Sequence, residues 1–126
     1  MIDVLLETVS DGVATLTMNR PDRRNALSGE MMAGFLEALP RLAADPDVGV
    51  VVITGTGRAF CAGGDVKAMA EGTEFKENTL EAKARALRSD MEVSGWLHKM
   101  TKPTIAMVPG AAAGAGLSIA LACDLR

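Results

Sequence analysis

The chain has 126 residues, of which 48% are hydrophobic and 3% aromatic, and its formal net charge is −3. This length is that of one ordinary domain with its own core, so residues 1–126 are treated as a single domain. The slightly acidic balance excludes the basic footprint of a nucleic-acid-binding protein. No apolar run is long enough to cross a membrane, and no secretion signal opens the chain. We therefore expect no membrane association and a cytoplasmic location.

The first third of the chain predicts a hairpin followed by a helix. Two β-branched runs, at residues 4–9 and 13–18, flank the pair Asp11-Gly12, which favours a tight turn between antiparallel strands. Ser28 can cap a helix whose apolar residues then recur near helical spacing. Because Pro40 lies inside that pattern, we expect the helix to kink or to end early there.

In the rest of the chain, a buried strand, a glycine-rich turn and a helix occur twice in the same order. The predicted elements are strand 48–54, helix 65–70, a polar connection 71–77, helix 78–100, strand 104–108 and helix 114–122. In the longest helix, the spacing places Leu80, Ala84, Leu87, Met91 and Trp96 largely on one apolar side. This order is typical of a layered α/β domain.

Two glycine-rich turns, at residues 60–65 and 109–116, carry the clearest functional signal. Each follows a strand and precedes a helix, where backbone N–H groups have no partner within the helix. Two such turns brought together can aim two N–H groups at one oxygen, which is the geometry of an oxyanion hole. Taken singly, each turn is also compatible with a tight connection or with close helix packing.

Three segments resemble, in order, the signatures of the enoyl-CoA hydratase/isomerase (crotonase) superfamily. They are Asn19-Arg20-Pro21 with Asn25-Ala26-Leu27, then Val51-Val52-Ile53-Thr54-Gly55 through Phe60-Cys61-Ala62-Gly63-Gly64-Asp65-Val66, and Lys102-Pro103-Thr104-Ile105-Ala106 through Val108-Pro109-Gly110 to Ala122-Cys123-Asp124. Members of that family are longer, and the match covers their N-terminal half. The resemblance implies an α/β fold, a crotonase-like spiral of β-β-α units that is truncated here to roughly its first half.

The resemblance also implies a site for an acyl-CoA or enoyl-CoA thioester, in the isomerase and lyase chemistry of fatty acid metabolism. Coenzyme A arrives as part of the substrate, and no metal or redox cofactor is implied. The catalytic oxyanion donors would be the backbone N–H groups of Gly64 and Ala115, with alanine in place of the usual glycine. The substrate-binding positions implied are Arg24, Ala26, Ala62, Gly64, Asp65, Val66, Ala115 and Ser118. A homotrimer or homohexamer is expected.

Ser118 favours isomerase-like chemistry over hydration. Hydratases of this family carry a glutamate at that position, one of two carboxylates that add water as acid and base. Isomerases of the family manage with one carboxylate, whose position would lie beyond Arg126. We interpret Ser118 itself as a helix residue that lines the pocket.

Other reactive side chains leave alternatives open. Cys61 lies in the first glycine turn and could be a nucleophile, but we interpret it as a packed small residue. His98 is interpreted as a surface residue near the carbonyls at a helix end. The basic cluster of Arg20, Arg23 and Arg24 is either a solvated loop or, by the resemblance, lies near the phosphates of coenzyme A.

Two other functions fit parts of the sequence. Gly110, Gly114 and Gly116 after a strand superficially resemble the turn of a dinucleotide-binding oxidoreductase, although their spacing is not Gly-x-Gly-x-x-Gly. Alternatively, the chain is an inactive thioester-binding or assembly fragment. That alternative predicts an exposed apolar face and self-association.

Overall fold

The computed structural model describes residues 3–76 and 78–126, which form an α/β fold of strands, helices and one 3₁₀ turn. The strands are β1 Leu5–Ser10, β2 Val13–Met18, β3 Val50–Gly55, β4 Ala59–Cys61, β5 Thr104–Ala106 and β6 Ala111–Ala112, and the helices are α1 Gly29–Ala44, α2 Val66–Glu71, α3 Leu80–Lys99 and α4 Ala115–Ala122. The 3₁₀ turn is Pro21–Arg23. Within the described ranges, no helix combines the length and the apolar character needed to cross a membrane.

The main sheet has the strand order β1-β2-β3-β5. Strands β1 and β2 are antiparallel, and Ser10 pairs with Val13 across a two-residue turn. Both turn residues have positive φ, +52° at Asp11 and +79° at Gly12, which is the geometry of a tight hairpin. Strands β2, β3 and β5 run parallel to one another. The predicted hairpin is confirmed.

A second, shorter layer of strands lies next to the main sheet. Strand β4 pairs in parallel with β6, and Leu27 forms a parallel bridge with Gly64 on the same layer. Two strands of the main sheet are therefore each followed by a short strand and a helix, as β3-β4-α2 and β5-β6-α4. This repetition confirms the predicted β-β-α architecture. The sequence pattern did not predict β4 and β6, because strands of two or three residues are too short to show a period.

Helix α1 continues through Pro40 to Ala44, so the expected early end is wrong. Proline inside a helix costs about 3 kcal/mol, because it removes one hydrogen bond and crowds the preceding turn. Leu39 and Leu42, on either side of Pro40, are fully buried, and each burial contributes about 2 kcal/mol. Lys102 Nζ also donates to the carbonyl of Leu42 at 2.7 Å and to that of Asp45. Packing and capping together offset the cost of the proline.

Most of the predicted apolar side of helix α3 does not face the core, although Trp96 packs against it. Leu80, Leu87 and Met91 are 85%, 49% and 65% exposed, whereas the buried residues of this helix are Val93 and Leu97. Only the second half of α3 is packed into the hydrophobic core. The first half of α3 is confirmed as helix, but its apolar residues do not pack into this core.

Asn25 connects the first signature segment to the corner between β3 and β4. Its side chain is fully buried and its φ is +58°. The Oδ1 atom accepts the Arg20 N–H at 2.8 Å, and Nδ2 donates to the carbonyls of Thr56 at 2.9 Å and Ala59 at 3.0 Å. The side chain therefore satisfies three backbone groups, one in its own segment and two in the distant β3–β4 corner.

We expect Asn25→Ala to lower the free energy of unfolding by at least about 2 kcal/mol. The variant leaves buried backbone groups without partners and places alanine at a positive φ. Urea denaturation measures the change. Asn78→Ala, at an exposed asparagine, is the matched control and should cost no more than about 0.5 kcal/mol. Equal losses in the two variants would contradict this role of Asn25.

Candidate active site

The two glycine turns meet backbone against backbone. Gly63 has φ +103°, and a Cβ atom added there would lie 2.9 Å from the Ala113 carbonyl oxygen and 3.6 Å from the Ala115 nitrogen. A Cβ atom on Gly116 would lie 2.7 Å from that of Cys61. The Ala113 N–H donates to the Cys61 carbonyl at 3.0 Å. Side chains are excluded from this contact, so glycine is required at both positions.

The peptide between Gly63 and Gly64 is anchored by its carbonyl. The Leu27 N–H donates to the Gly63 oxygen at 2.8 Å. A trans peptide is planar and its C=O and N–H point in opposite directions, so this bond also sets the direction of the Gly64 N–H. Among the hydrogen bonds of residues 3–76 and 78–126, none uses the Gly64 N–H as donor.

The peptide between Gly114 and Ala115 is held in the same way. The Gly114 oxygen accepts the Ser118 N–H at 3.1 Å and the Ser118 Oγ–H at 3.4 Å. The Ala115 N–H, at the start of α4, has no acceptor within the described part of the chain. The positive φ of this turn, +54°, falls on Gly114 and not on Ala115. Alanine is therefore accommodated without strain, and it keeps the backbone donor.

Both peptides border a cavity of about 610 Å³ between α1, α3 and the two turns. Four of the predicted site residues line it: Gly64, Asp65, Ala115 and Ser118. Much of the remaining wall is apolar and comes from Leu27, Met32, Met69, Phe75, Leu87, Met91, Val93 and Ile119. The exposed apolar residues of α3 thus include two, Leu87 and Met91, that form part of this wall. The volume lies within the range of small-molecule sites.

The other four predicted residues do not occur among the described residues that line the cavity. The Arg24 side chain is exposed, and its carbonyl accepts the N–H of Ala62, also exposed, at 2.9 Å. Ala26 is buried, and Val66 is 74% exposed. Contacts of these four residues with a substrate stay predictions.

Asp65 caps α2 and is paired with Arg20. Its Oδ1 atom accepts the Ala68 N–H at 3.1 Å, and its Oδ2 atom lies 3.1 Å from Arg20 Nη2. The Ala68 N–H and the Arg20 guanidinium both lower the pKa of the Asp65 carboxyl, so the group is charged near neutral pH. Arg20 therefore does not belong to a solvated basic loop with Arg23 and Arg24. The sequence does not show this separation, because the three arginines are near neighbours in one polar segment.

The structure supports a packing role for Cys61. The residue is fully buried, and burial raises the pKa of its thiol, which disfavours the reactive thiolate. Burial likewise raises the pKa of Cys123 to about 11. His98 is exposed in the last turn of α3, as expected.

Two acidic residues of the cavity wall were not singled out in the sequence. Glu74 comes from the connection between α2 and α3, and Asp90 comes from α3. Both lie in segments that are generally polar, so no sequence signal distinguishes them from surface residues. Together with Asp65 they place three carboxyl-bearing residues around the cavity.

Paired glycine turns on consecutive β-β-α units, bordering one cavity, define a crotonase-type fold. The sequence profile described as enoyl-CoA hydratase/isomerase matches residues 8–126, and the chain belongs to that family.

Individual relatives agree with this membership. The chain is 46% identical to a probable enoyl-CoA hydratase of Mycobacterium tuberculosis over 98% of its own length and 46% of the relative's. It is 39% identical to 4-chlorobenzoyl coenzyme A dehalogenase-1 of an Arthrobacter species, over 92% of this chain and 41% of that one. The crystal structure of an enoyl-CoA hydratase/isomerase from Xanthobacter autotrophicus Py2 matches with a TM-score of 0.88 at 35% identity, covering 98% and 45% of the two chains. The chain spans about half the length of the curated relatives it matches.

We expect Gly63→Ala to destabilise the fold more than Gly72→Ala. Both glycines have positive φ, +103° and +71°, so each substitution carries the same kind of backbone strain, about 1–2 kcal/mol. Only at Gly63 does the added methyl group also meet a backbone carbonyl, since the space around Gly72 is open to 4 Å. Urea denaturation of both variants measures the difference. Equal losses would show that the close approach of the turns does not constrain Gly63.

Proposed function

We propose that this chain carries the thioester-activating half of an acyl-CoA enzyme. The backbone N–H groups of Gly64 and Ala115 would bind the carbonyl oxygen of the thioester and stabilise the negative charge that it gains in an enolate. One observation supports this most strongly: both N–H groups belong to anchored peptides that border the same cavity. In enzymes that use such donors, loss of one typically costs about 10²–10³ in rate.

The proposed substrate is an acyl-CoA or enoyl-CoA thioester. The names of the two curated relatives refer to enoyl-CoA and to 4-chlorobenzoyl coenzyme A, which are both thioesters of coenzyme A. The largely apolar wall of the cavity suits an acyl group. The exposed Arg24 would contact the coenzyme A moiety, together with the turn residues Ala26, Ala62 and Val66. Assembly into a homotrimer or homohexamer belongs to the same proposal.

Within this class, we propose isomerase-like chemistry rather than hydration. The Ser118 hydroxyl does not ionise near neutral pH, so it cannot replace the glutamate that the family's hydratases use at that position. A double-bond shift needs only one carboxylate. That group removes a proton from one carbon of the acyl chain and returns it to another, while the N–H pair holds the enolate oxygen.

Calorimetric titration of the purified chain with crotonyl-CoA, beside NADH, tests the proposal. We expect saturable binding of the thioester and none of the dinucleotide, because the cavity offers N–H donors to a carbonyl oxygen. Free coenzyme A is the control for binding through the nucleotide end alone, and it should bind more weakly than crotonyl-CoA. Binding of NADH alone, or of neither ligand, would contradict a thioester site in this chain.

A second candidate function, an assembly fragment, is favoured by the exposed apolar residues around α4. Leu117 and Leu121, one turn apart on α4, are 44% and 55% exposed, and Leu125 is 62% exposed. Met107 and Val108, just after β5, are also exposed. A set of this kind on one part of the surface is typical of protein contacts. The proposed partner is a second copy of the chain.

Light scattering after gel filtration, over a hundredfold range of concentration, tests self-association. We expect the mean mass to rise with concentration, and Leu121→Gln to reduce that rise because it removes apolar area from α4. Leu80→Gln is the matched control, since Leu80 is 85% exposed on α3 and lies outside the α4 surface. A monomer at every concentration would exclude the assembly function.

A further inference from the structure

Arg20, in the first signature segment, has a largely buried side chain. Its side chain is 18% exposed, and both of its terminal nitrogens are used. Nη1 donates to the carbonyl of Ala26 at 2.7 Å, and Nη2 donates to Oδ2 of Asp65 at 3.1 Å. These two partners lie in different segments of the chain, one before α1 and one before α2. Arg20 thus joins the first signature to the glycine turn of the second.

The contact with Ala26 leads to the Gly64 N–H through two peptide groups. The Ala26 carbonyl and the Leu27 N–H belong to one peptide, and that N–H donates to the Gly63 oxygen at 2.8 Å. The Gly63 carbonyl and the Gly64 N–H belong to the next. A carbonyl that accepts a hydrogen bond makes the N–H of its own peptide a stronger donor, and the guanidinium charge strengthens the first bond of the series. The charge of Arg20 therefore acts at the Gly64 N–H without touching it.

The contact with Asp65 restrains the same peptide from its other side. Asp65 directly follows Gly64, and its two carboxylate oxygens are divided between Arg20 and the Ala68 N–H. The Asp65 side chain is 15% exposed, and both partners hold its carboxylate in one orientation. The backbone on each side of the Gly63–Gly64 peptide is thus connected to one guanidinium.

We propose that Arg20 is a positioning residue for the oxyanion site, which orients and polarises the Gly64 N–H through the Ala26–Leu27 and Gly63–Gly64 peptides. This inference rests on the proposed function of that N–H. It assigns Arg20 no contact with the substrate. Loss of Arg20 should therefore weaken the binding of a negatively charged oxygen much more than the binding of a neutral carbonyl.

Two thioesters separate these effects. Acetoacetyl-CoA is a β-keto thioester that loses an α-proton to solvent and becomes an enolate with its own near-ultraviolet absorbance, whereas crotonyl-CoA keeps a neutral carbonyl. We expect Arg20→Met to lower the enolate-to-keto ratio of bound acetoacetyl-CoA at least about tenfold. The Kd for crotonyl-CoA should change less than about threefold, which a general loss of structure would not allow. Arg41→Met is the matched control, because Arg41 also pairs with carboxylates, those of Glu7 and Glu37, but on the surface.

The outcomes distinguish this inference from the proposed function. If the wild-type chain binds neither thioester, or binds acetoacetyl-CoA without its enolate, the oxyanion site is wrong and the role of Arg20 falls with it. If the wild type stabilises the enolate and Arg20→Met does so equally, only the role of Arg20 is overturned. Should Arg20→Met fail to fold, Arg20→Lys decides, because one ammonium cannot reproduce the two-pronged geometry of guanidinium. A several-fold loss of enolate is then expected, and a wild-type ratio overturns the inference.

Discussion

The direct contact between the two glycine turns is the constraint on which the candidate site depends. Gly63 approaches the backbone of Ala113, and Gly116 approaches Cys61, at distances that leave no room for a Cβ atom. A contact this close excludes reactive side chains from the meeting point of the turns. Any chemistry there has to come from the backbone itself. The small residues at these positions are therefore explained by one requirement, that the two backbones come into direct contact.

Backbone donors stabilise a developing charge only if their peptides do not need to reorient during the reaction. Here each donor peptide is held through its carbonyl, Gly63 by the Leu27 N–H and Gly114 by Ser118. The two anchors come from different elements, the segment before α1 and the second turn of α4. Because the largely apolar cavity wall limits competition from water, hydrogen bonds made there are stronger than in solvent. The carbonyl anchors thus account for the rigidity of the two peptides, and the apolar wall for the strength of the hydrogen bonds that they would donate.

Local signals were sufficient to predict much of this fold, whereas long-range contacts were not predictable from the sequence. The Asp11-Gly12 hairpin and the helix capped by Ser28 depend on neighbours within a few residues, and both are confirmed. The early helix end expected at Pro40 was wrong because the burial that keeps α1 intact involves distant segments. Asn25 belongs to the first signature segment, but its buried hydrogen bonds were not predicted, since its three partners lie in turns and short strands. At the site, the turn residues were predicted and the cavity wall from α3, including Met91, was not.

Ser118 connects the question of reaction type with the geometry of the donors. One relative is named a probable enoyl-CoA hydratase and another a 4-chlorobenzoyl coenzyme A dehalogenase, and both match this chain in sequence. Membership of the family alone therefore does not select a reaction. The type of reaction has to be determined by the side chains on the cavity wall. A glutamate at position 118 would offer a second carboxylate, whereas the serine hydroxyl donates to the carbonyl of the Gly114–Ala115 peptide. In the proposed function, the residue that disfavours water addition is thus also the residue that holds the second donor peptide, which would suit a reaction that needs a stabilised enolate and a single proton carrier.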